Sequence, residues 1–260
     1  MTPATIAIRT WNVLAAAYCV PSRYPNTPLT MLAPGARDEL IIGTILAGSA
    51  DVVCLQEVQE GLARGLASAL GDTFDVRWLQ KRGRPDGCLT IVRWPWVVYS
   101  DHALYYNNAD NATAATSGHI AQVFGLRNGA DTIALANTHL RWGDGTPGMG
   151  QIGLRQANEL INYLDTNFDS QPVVVLGDIN DRPGGPIRQL LSEAGFVEHQ
   201  GDAPTAVVDA VPTGLDVVCA RCATKRSSSR HPYPTAPLPR TRYPSDHVCV
   251  DVNLELLPPT

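Results

Sequence analysis

Asp178, Asn180 and Asp181 follow directly on an apolar run, Val173 to Leu176, and a single glycine. The same pattern recurs along the chain. Asn12 closes the alternation around Ile6 and Ile8, Glu57 follows "DVVCLQ", and His139 follows "IALANT". Asp246 and His247 stand at the start of the last apolar stretch. Sheets set strand ends side by side, so carboxylates, amides and two histidines from distant positions can meet on one rim. Such a set offers hard oxygen ligands suited to Mg²⁺ or Mn²⁺ and contains no thiolate cluster of the kind zinc favours. A cation there would neutralise phosphate charge and activate water for in-line attack.

The elements that must carry these groups are readable from periodicity. "TIAIRTWNVLA" alternates as a strand does. In "RDELIIGTILAG", Leu40, Ile41, Ile45 and Leu46 fall near one helical face, with Gly48 as the stop. "DVVCLQEV" reads as a short buried strand ending on Gln56 and Glu57, and "GLARGLASALG" as a helix closed by Gly71. "GCLTIVRW" and "GHIAQVFGLRNGADTIALANTHLRW" are strands, the second folded into a hairpin at Asn128-Gly129, where positive φ is tolerated. "GLRQANELINYLDTNF" is amphipathic, with Ala157, Leu160, Ile161, Leu164 and Phe168 on one face. "PVVVLGDIN", "GLDVVCA" and "HVCVDVNLEL" are strands, and "PIRQLLSEAGF" is a helix between Pro186 and Gly195. Glycine-rich Trp142–Gly153 and proline-rich Lys225–Asp246 read as loops. The tally is at least eight strands and four helices.

With 44% hydrophobic and 17% charged residues among 260, the composition is that of a soluble globular protein, most simply one domain over 1–260. No apolar run reaches the ~20 residues of a membrane span. Met1-Thr2-Pro3-Ala4-Thr5 lacks the basic and apolar regions of a signal peptide. The expectation is a cytoplasmic protein without membrane contact or an obligate protein partner. Its net charge is −5, and only Lys81 and Lys225 are lysines among twenty basic residues. That argues against long-range capture of duplex nucleic acid and suits a small or single-stranded phosphate substrate. Cys54, Cys88, Cys219 and Cys249 lie in apolar stretches and read as small core residues. Cys219-Ala-Arg-Cys222 has no second pair, which weighs against a zinc or redox site.

The blocks "TWNVLA", "CLQEV", "NTHL", "LGDIND", "LDVV" and "PSDH" resemble, in order, those of the endonuclease/exonuclease/phosphatase superfamily with the DNase I-like fold. They span Trp11 to His247, nearly the whole chain. Any one block is weak evidence; six in order are strong. "TWNVLA", "PDGCLTIV", "YPSDH" and "RQANEL" look most like the deadenylase and nocturnin branch. The fold so implied is a four-layer α/β sandwich, two facing mixed β-sheets flanked by helices.

The resemblance also implies roles. Glu57 would be the principal metal ligand, with Asn12 positioning the metal or a phosphate oxygen and Asp246 in the same ligand set. Asp178 would hold and deprotonate the attacking water, and Asn180 would donate to the phosphoryl oxygens. His247 would contact the scissile phosphate, its tautomer fixed by Asp246; the assignment of general base between Asp178 and His247 stays open. His139 would steady developing phosphoryl charge. Asp86, in "PDGC", is either part of a substrate-facing loop or a Pro-Asp-Gly turn. Asp216 stands where the family has Ile-Asp-Tyr-Ile and reads as a site-orienting acid. Arg37 is read as structural first, and His102, His119, His199 and His231 match no motif.

The resulting expectation is a Mg²⁺- or Mn²⁺-dependent phosphoesterase. Its substrate is a phosphodiester of single-stranded nucleic acid, cleaved as by a 3′-5′ exoribonuclease, with bases stacked on aromatics drawn from Trp94, Trp96, Tyr105, Tyr106 and Trp142. At least half of those aromatics are expected in the core. The alternative is a phosphatase acting on a nucleotide, dinucleotide or cyclic phosphate. A binding module that has lost catalysis ranks below both, because Glu57, Asp178, Asn180 and His247 are all present.

Overall fold

Segments that alternate with period two each bury one face, and that requirement dictates the frame. The computed structural model describes residues 4–107, 117–143, 150–201, 203–208, 211–230 and 238–257. From the N-terminus run β1 (Thr5–Asn12), α1 (Leu29–Leu32), α2 (Asp38–Leu46), β2 (Val52–Gln59) and α3 (Glu60–Leu70). Next come β3 (Phe74–Gln80), β4 (Asp86–Arg93), β5 (Val97–Tyr105), β6 (Ile120–Asn128), β7 (Asp131–His139) and α4 (Gly150–Asn167). β8 (Val173–Asp178), α5 (Pro186–Glu193), β9 (Val197–Glu198), β10 (Ala206–Val208) and β11 (Val211–Thr213) follow. The chain closes with β12 (Asp216–Arg221), β13 (Ala223–Arg230) and β14 (Val250–Leu256).

One six-stranded sheet has the order β13-β14-β1-β2-β4-β3 and the other β5-β6-β7-β8-β12-β9, with β10 and β11 as a separate ribbon. Both are mixed: β1 is parallel to β2 and β7 to β8. Between the sheets Ile6, Ile8, Val52 and Cys54 meet Phe124, Leu135, Val174, Leu176 and Val218. Outside the first sheet, α2 and α3 bury Ile41, Ile45, Leu62 and Leu66 against Leu55 and Leu89. Outside the second, α4 and α5 bury Leu160, Leu164, Ile187 and Leu191 against Val123 and Val175. The expected four layers are therefore present, and the hairpin forms at the expected turn, Asn128 pairing with Asp131.

Several local readings change. The face expected on α2 narrows to Ile41 and Ile45, because Leu46 is 48% exposed. β3 and β5 are edge strands with mostly half-exposed residues, so they carry no continuous apolar signal. The segment from Lys225, expected as a loop, begins as a strand: β13 pairs with β14 through Arg230, all before the first proline at 232. Of the expected loop Trp142–Gly153, the last four residues already belong to α4, and 144–149 lie outside the described residues. All six cysteines are free, with Cys54, Cys88, Cys219 and Cys249 buried as expected. Among the described residues, no helix is long and apolar enough to cross a membrane.

Register places the polar strand ends. Asp216 pairs with Asp178 and Asp178 with His139, so β12, β8 and β7 present three titratable groups in one row on the face toward the first sheet. Rows on adjacent strands are ~4.8 Å apart. Gly177 makes this approach feasible: its φ is +131°, and a Cβ there would lie 1.9 Å from Thr138 O. Across the mouth, Asn12 pairs with Gln56.

Candidate active site

Below the mouth a buried amide network ties the two sheets together. Gln56 Nε2 donates to Asn137 Oδ1 at 2.9 Å and to Thr10 Oγ1 at 3.1 Å. Asn137 Nδ2 donates to Leu89 O and Thr90 Oγ1, each at 3.1 Å. Thr90 Oγ1 donates to Gln122 Oε1 at 2.9 Å. Fully satisfied networks of this kind fix the relative position of the sheets, and here they fix it directly beneath the polar row.

Three of the four non-glycine residues with positive φ among those described are Leu14 (56°), Glu57 (60°) and Asn180 (52°), all at this mouth. Such conformations cost about 1–3 kcal/mol each and persist where surrounding structure holds them. Glu57 sits in the irregularity between Leu55 and Val58 in the β2–β4 ladder, which re-aims its side chain. Its Oε2 accepts from the Ala15 N–H at 2.9 Å and its Oε1 from Asn12 Nδ2 at 3.1 Å. The same Asn12 Nδ2 donates to Asp178 Oδ2 at 3.0 Å. One amide thus bridges the two carboxylates, which face a common mouth.

His247 stands on the far side of Asp178. Its Nδ1 donates to Asp216 Oδ2 at 2.8 Å, and its Nε2 lies 3.7 Å from Asp178 Oδ2. Burial pushes against a charged imidazole, but the Asp216 and Asp178 carboxylates outweigh it and hold His247 well above its ordinary pKa. Asp178 is pushed up to about 7, chiefly by burial with the Asp216 charge adding, against the pull of His247. Burial, and secondarily the Asp246 charge, also raise Glu57.

The expected role of Asp246 in orienting His247 is corrected here, since Asp216 supplies that contact. Asp246 Oδ2 instead accepts from Tyr24 OH at 2.8 Å, with its charge still acting on Glu57. Asp86 is also reassigned. It is fully buried, its Oδ1 accepting from Tyr18 OH and its Oδ2 from Lys81 Nζ, both at 2.7 Å. A carboxylate so enclosed has no oxygen turned to a substrate; it anchors Lys81.

Lys81, given no role by the sequence reading, is 4% exposed, and its Nζ lies 3.1 Å from His139 Nδ1. Its signal is positional. Lys81 N–H donates to Asp86 O across the β3–β4 turn, so a hairpin around residues 82–85 would have paired the two. An ammonium can only donate, so His139 Nδ1 accepts and the proton resides on Nε2. Burial and the Lys81 charge both hold His139 far below its ordinary pKa, as the neutral ring. Asn180 Nδ2 lies 3.1 Å from that Nε2 while donating to Leu140 O at 2.8 Å, and Asn180 N–H donates to Asp178 Oδ1 at 3.0 Å. Two donors therefore adjoin with no acceptor between them, an arrangement complementary to an anionic oxygen.

The donor set fits a divalent cation. It comprises carboxylates and amides, and Asp216 Oδ1 is buried with no hydrogen-bond partner among the described residues. Asp178 and Asp216 bring carboxylate oxygens to within 4.8 Å of one another, while His247, held as the imidazolium, has no lone pair to offer a cation. Arg37 is structural as expected, its buried guanidinium donating to Val13 O at 2.8 Å and Pro244 O at 2.7 Å. It clamps the exit of β1 to the segment that leads into His247. Of the proposed aromatics, Trp96 and Tyr106 are core, and Trp94 is 74% exposed beyond the far end of β4 from Asp86. Tyr105 ends β5 near the mouth. His231 lies outside the described residues.

Residues 10–247 match the Endonuclease/Exonuclease/phosphatase family. The chain belongs to that family. A CCR4-Not complex 3'-5'-exoribonuclease subunit Ccr4 from Phaeosphaeria nodorum is 41% identical over 265 aligned residues, covering 75% of this chain and 44% of that protein. Mouse Protein angel homolog 2 is 30% identical over 168 residues, 58% of this chain and 30% of that protein. The chain thus spans less than half the length of these curated relatives. Among solved structures, ANGEL2, a 2',3'-cyclic phosphatase, in complex with adenosine-2',3'-vanadate superimposes with TM-score 0.81 and 18% identity, covering 98% of this chain and 96% of its own. The human Nocturnin catalytic domain gives 0.75 and 21%, covering 98% and 94%. These likenesses agree with the deadenylase and nocturnin branch of a family that hydrolyses phosphoester bonds.

Proposed function

We propose that this chain is a Mg²⁺- or Mn²⁺-dependent phosphoesterase that cleaves a phosphodiester of single-stranded nucleic acid, in the manner of a 3′-5′ exoribonuclease. The observation that carries this reading is the convergence at one mouth of two carboxylates bridged by Asn12, the Asp216–His247 pair and the adjoining N–H donors of His139 and Asn180. Glu57 would hold the cation, with Asn12 aligning its carboxylate and Asp246 close enough to add its charge. When bound, the cation neutralises phosphate charge and eases deprotonation of water.

The chain's own groups do the rest. Asp178, with a pKa near 7 and both oxygens aligned by Asn12 and the Asn180 N–H, takes the proton from the attacking water. His139 Nε2–H and Asn180 Nδ2–H donate to the phosphoryl oxygen as charge builds there. His247, kept protonated by Asp216, supports the phosphate charge from the opposite side.

A second reading, a phosphatase on a nucleotide or cyclic phosphate, is favoured by the superposition on ANGEL2 over nearly the full length of both chains. One assay separates the two: the protein with Mg²⁺ or Mn²⁺ against labelled oligo(A), a 2′,3′-cyclic nucleotide and NADP⁺. A ladder from oligo(A) supports the nuclease. Ring opening or free phosphate without a ladder replaces it with the phosphatase. Turnover of none of these by the folded protein removes both.

A further inference from the structure

We infer that Arg82, laid over the Tyr105 ring, is the platform on which the substrate's nucleobase stacks; this rests on the reading of the site as one for nucleotides. Tyr105 pairs with Ile120, whose neighbour Ala121 pairs with Thr138, next to His139. Tyr105 therefore stands in the row of His139, two strands away, or about 10 Å at ordinary strand spacing. That row also holds Asp178 and Asp216. Of the other aromatics considered for stacking, Trp96 and Tyr106 are in the core and Trp94 is at the opposite end of the sandwich, while Trp142, half-buried, follows His139 by three residues at this same end.

Arg82 Cζ lies 4.0 Å from the Tyr105 ring centroid. Arg82 is exposed, and among the described residues no hydrogen bond or ion pair engages its guanidinium. It directly follows Lys81, which touches His139. Its backbone is pinned, the Arg82 N–H donating to Gly118 O at 3.2 Å. Gly118 has φ +78°, and a Cβ there would come within 2.2 Å of Arg82 O, so only glycine lets the two loops approach this closely. One face of the guanidinium is thus occupied by Tyr105 while the residue itself is exposed, two strand spacings from the His139 donor. Guanidinium planes and aromatic rings both stack bases. An arginine serving only as a counter-charge would not need a ring beneath it.

The test is equilibrium titration of AMP and of ribose 5-phosphate, which share the phosphate and differ in the base. Wild type, Arg82→Ala, Arg82→Lys and Tyr105→Leu are compared. Wild type should bind AMP roughly tenfold tighter than ribose 5-phosphate, as expected for one stacked base. Arg82→Ala and Tyr105→Leu should erase that preference. Arg82→Lys should erase it too while leaving the ribose 5-phosphate affinity unchanged, because charge is kept and the plane is lost. The inference is overturned if Arg82→Ala keeps the AMP preference, if Arg82→Lys retains it in full, or if wild type shows none. Binding is read without turnover. A protein that shows the expected pattern but hydrolyses no phosphoester sustains this inference and defeats the proposed reaction.

Discussion

Lys81 and Asp86 form a buried ion pair, with side chains 3% and 0% exposed and 2.7 Å between Nζ and Oδ2. Both charges are enclosed, so removing one strands the other. Lys81→Met should cost about 3–5 kcal/mol of stability, the usual penalty for an uncompensated buried charge. Asp86→Leu should cost a similar amount. The double variant leaves no buried charge, and apolar replacement of such pairs is often neutral, so its stability should return to within about 1–2 kcal/mol of wild type. Activity should not return with it. His139 loses the donor that holds its proton on Nε2, and one displaced oxyanion donor lowers kcat by about 10²–10³. Urea unfolding gives the stability cycle, and turnover of oligo(A) or a 2′,3′-cyclic nucleotide gives the catalytic one. A double variant that is folded, stable and nearly as active as wild type would refute the argument that Lys81 sets the His139 tautomer.

Asp216→Asn keeps the shape of the site but removes the charge that holds the His247 imidazolium; kcat should fall about 10²–10³-fold, the range for losing one electrostatic stabiliser, and the buried His247 should titrate at lower pH, which NMR of its ring protons would read separately from any loss of stability. Mg²⁺ should raise the wild-type melting temperature, a stabilisation of about 2.7 kcal/mol at a hundredfold excess over Kd, and Glu57→Gln should abolish that rise; equal shifts in both proteins would take Glu57 out of the ligand set. His119 is held down to about 3, mainly by burial and then by the Lys81 charge. Below pH 6.5 the unfolded state therefore binds a proton that the folded state does not, and stability falls as pH drops. Between pH 7 and 5 that loss is at most about 2 kcal/mol, and His119→Gln should remove it, as urea unfolding at the two pH values would show.

Much of the fold was legible because its strands bury one or both faces. The alternation at Ile6 and Ile8, the run Val173–Leu176 and the Asn128-Gly129 turn each declare themselves within a few residues. β3 and β5 did not, because edge strands with one face half-exposed carry a diluted pattern. β13 was hidden by its own composition, "ATKRSSSR", which becomes a strand only because β14 offers an open edge.

The same division runs through the site. Residue type and local sequence determined that Asn12, His139, Asp178, Asn180 and His247 end or border strands, and that hard oxygen donors dominate among the site residues; Glu57, expected at a strand end, instead lies inside β2 at its irregularity. Which partner each one meets was decided by the tertiary structure. Asp246 is the covalent neighbour of His247, yet Asp216, 31 positions away, holds its Nδ1. The pairing of β12 with β8 sets Asp216 beside Asp178, and the parallel pairing of β7 with β8 sets His139 on the other side. Lys81 shows the same dependence, since only the β3–β4 turn and the facing sheet bring it to both Asp86 and His139. Sequence position controls side-chain type and which face of its strand a residue occupies, while hydrogen-bond register between strands controls distance. Proton placement at the site follows from distance.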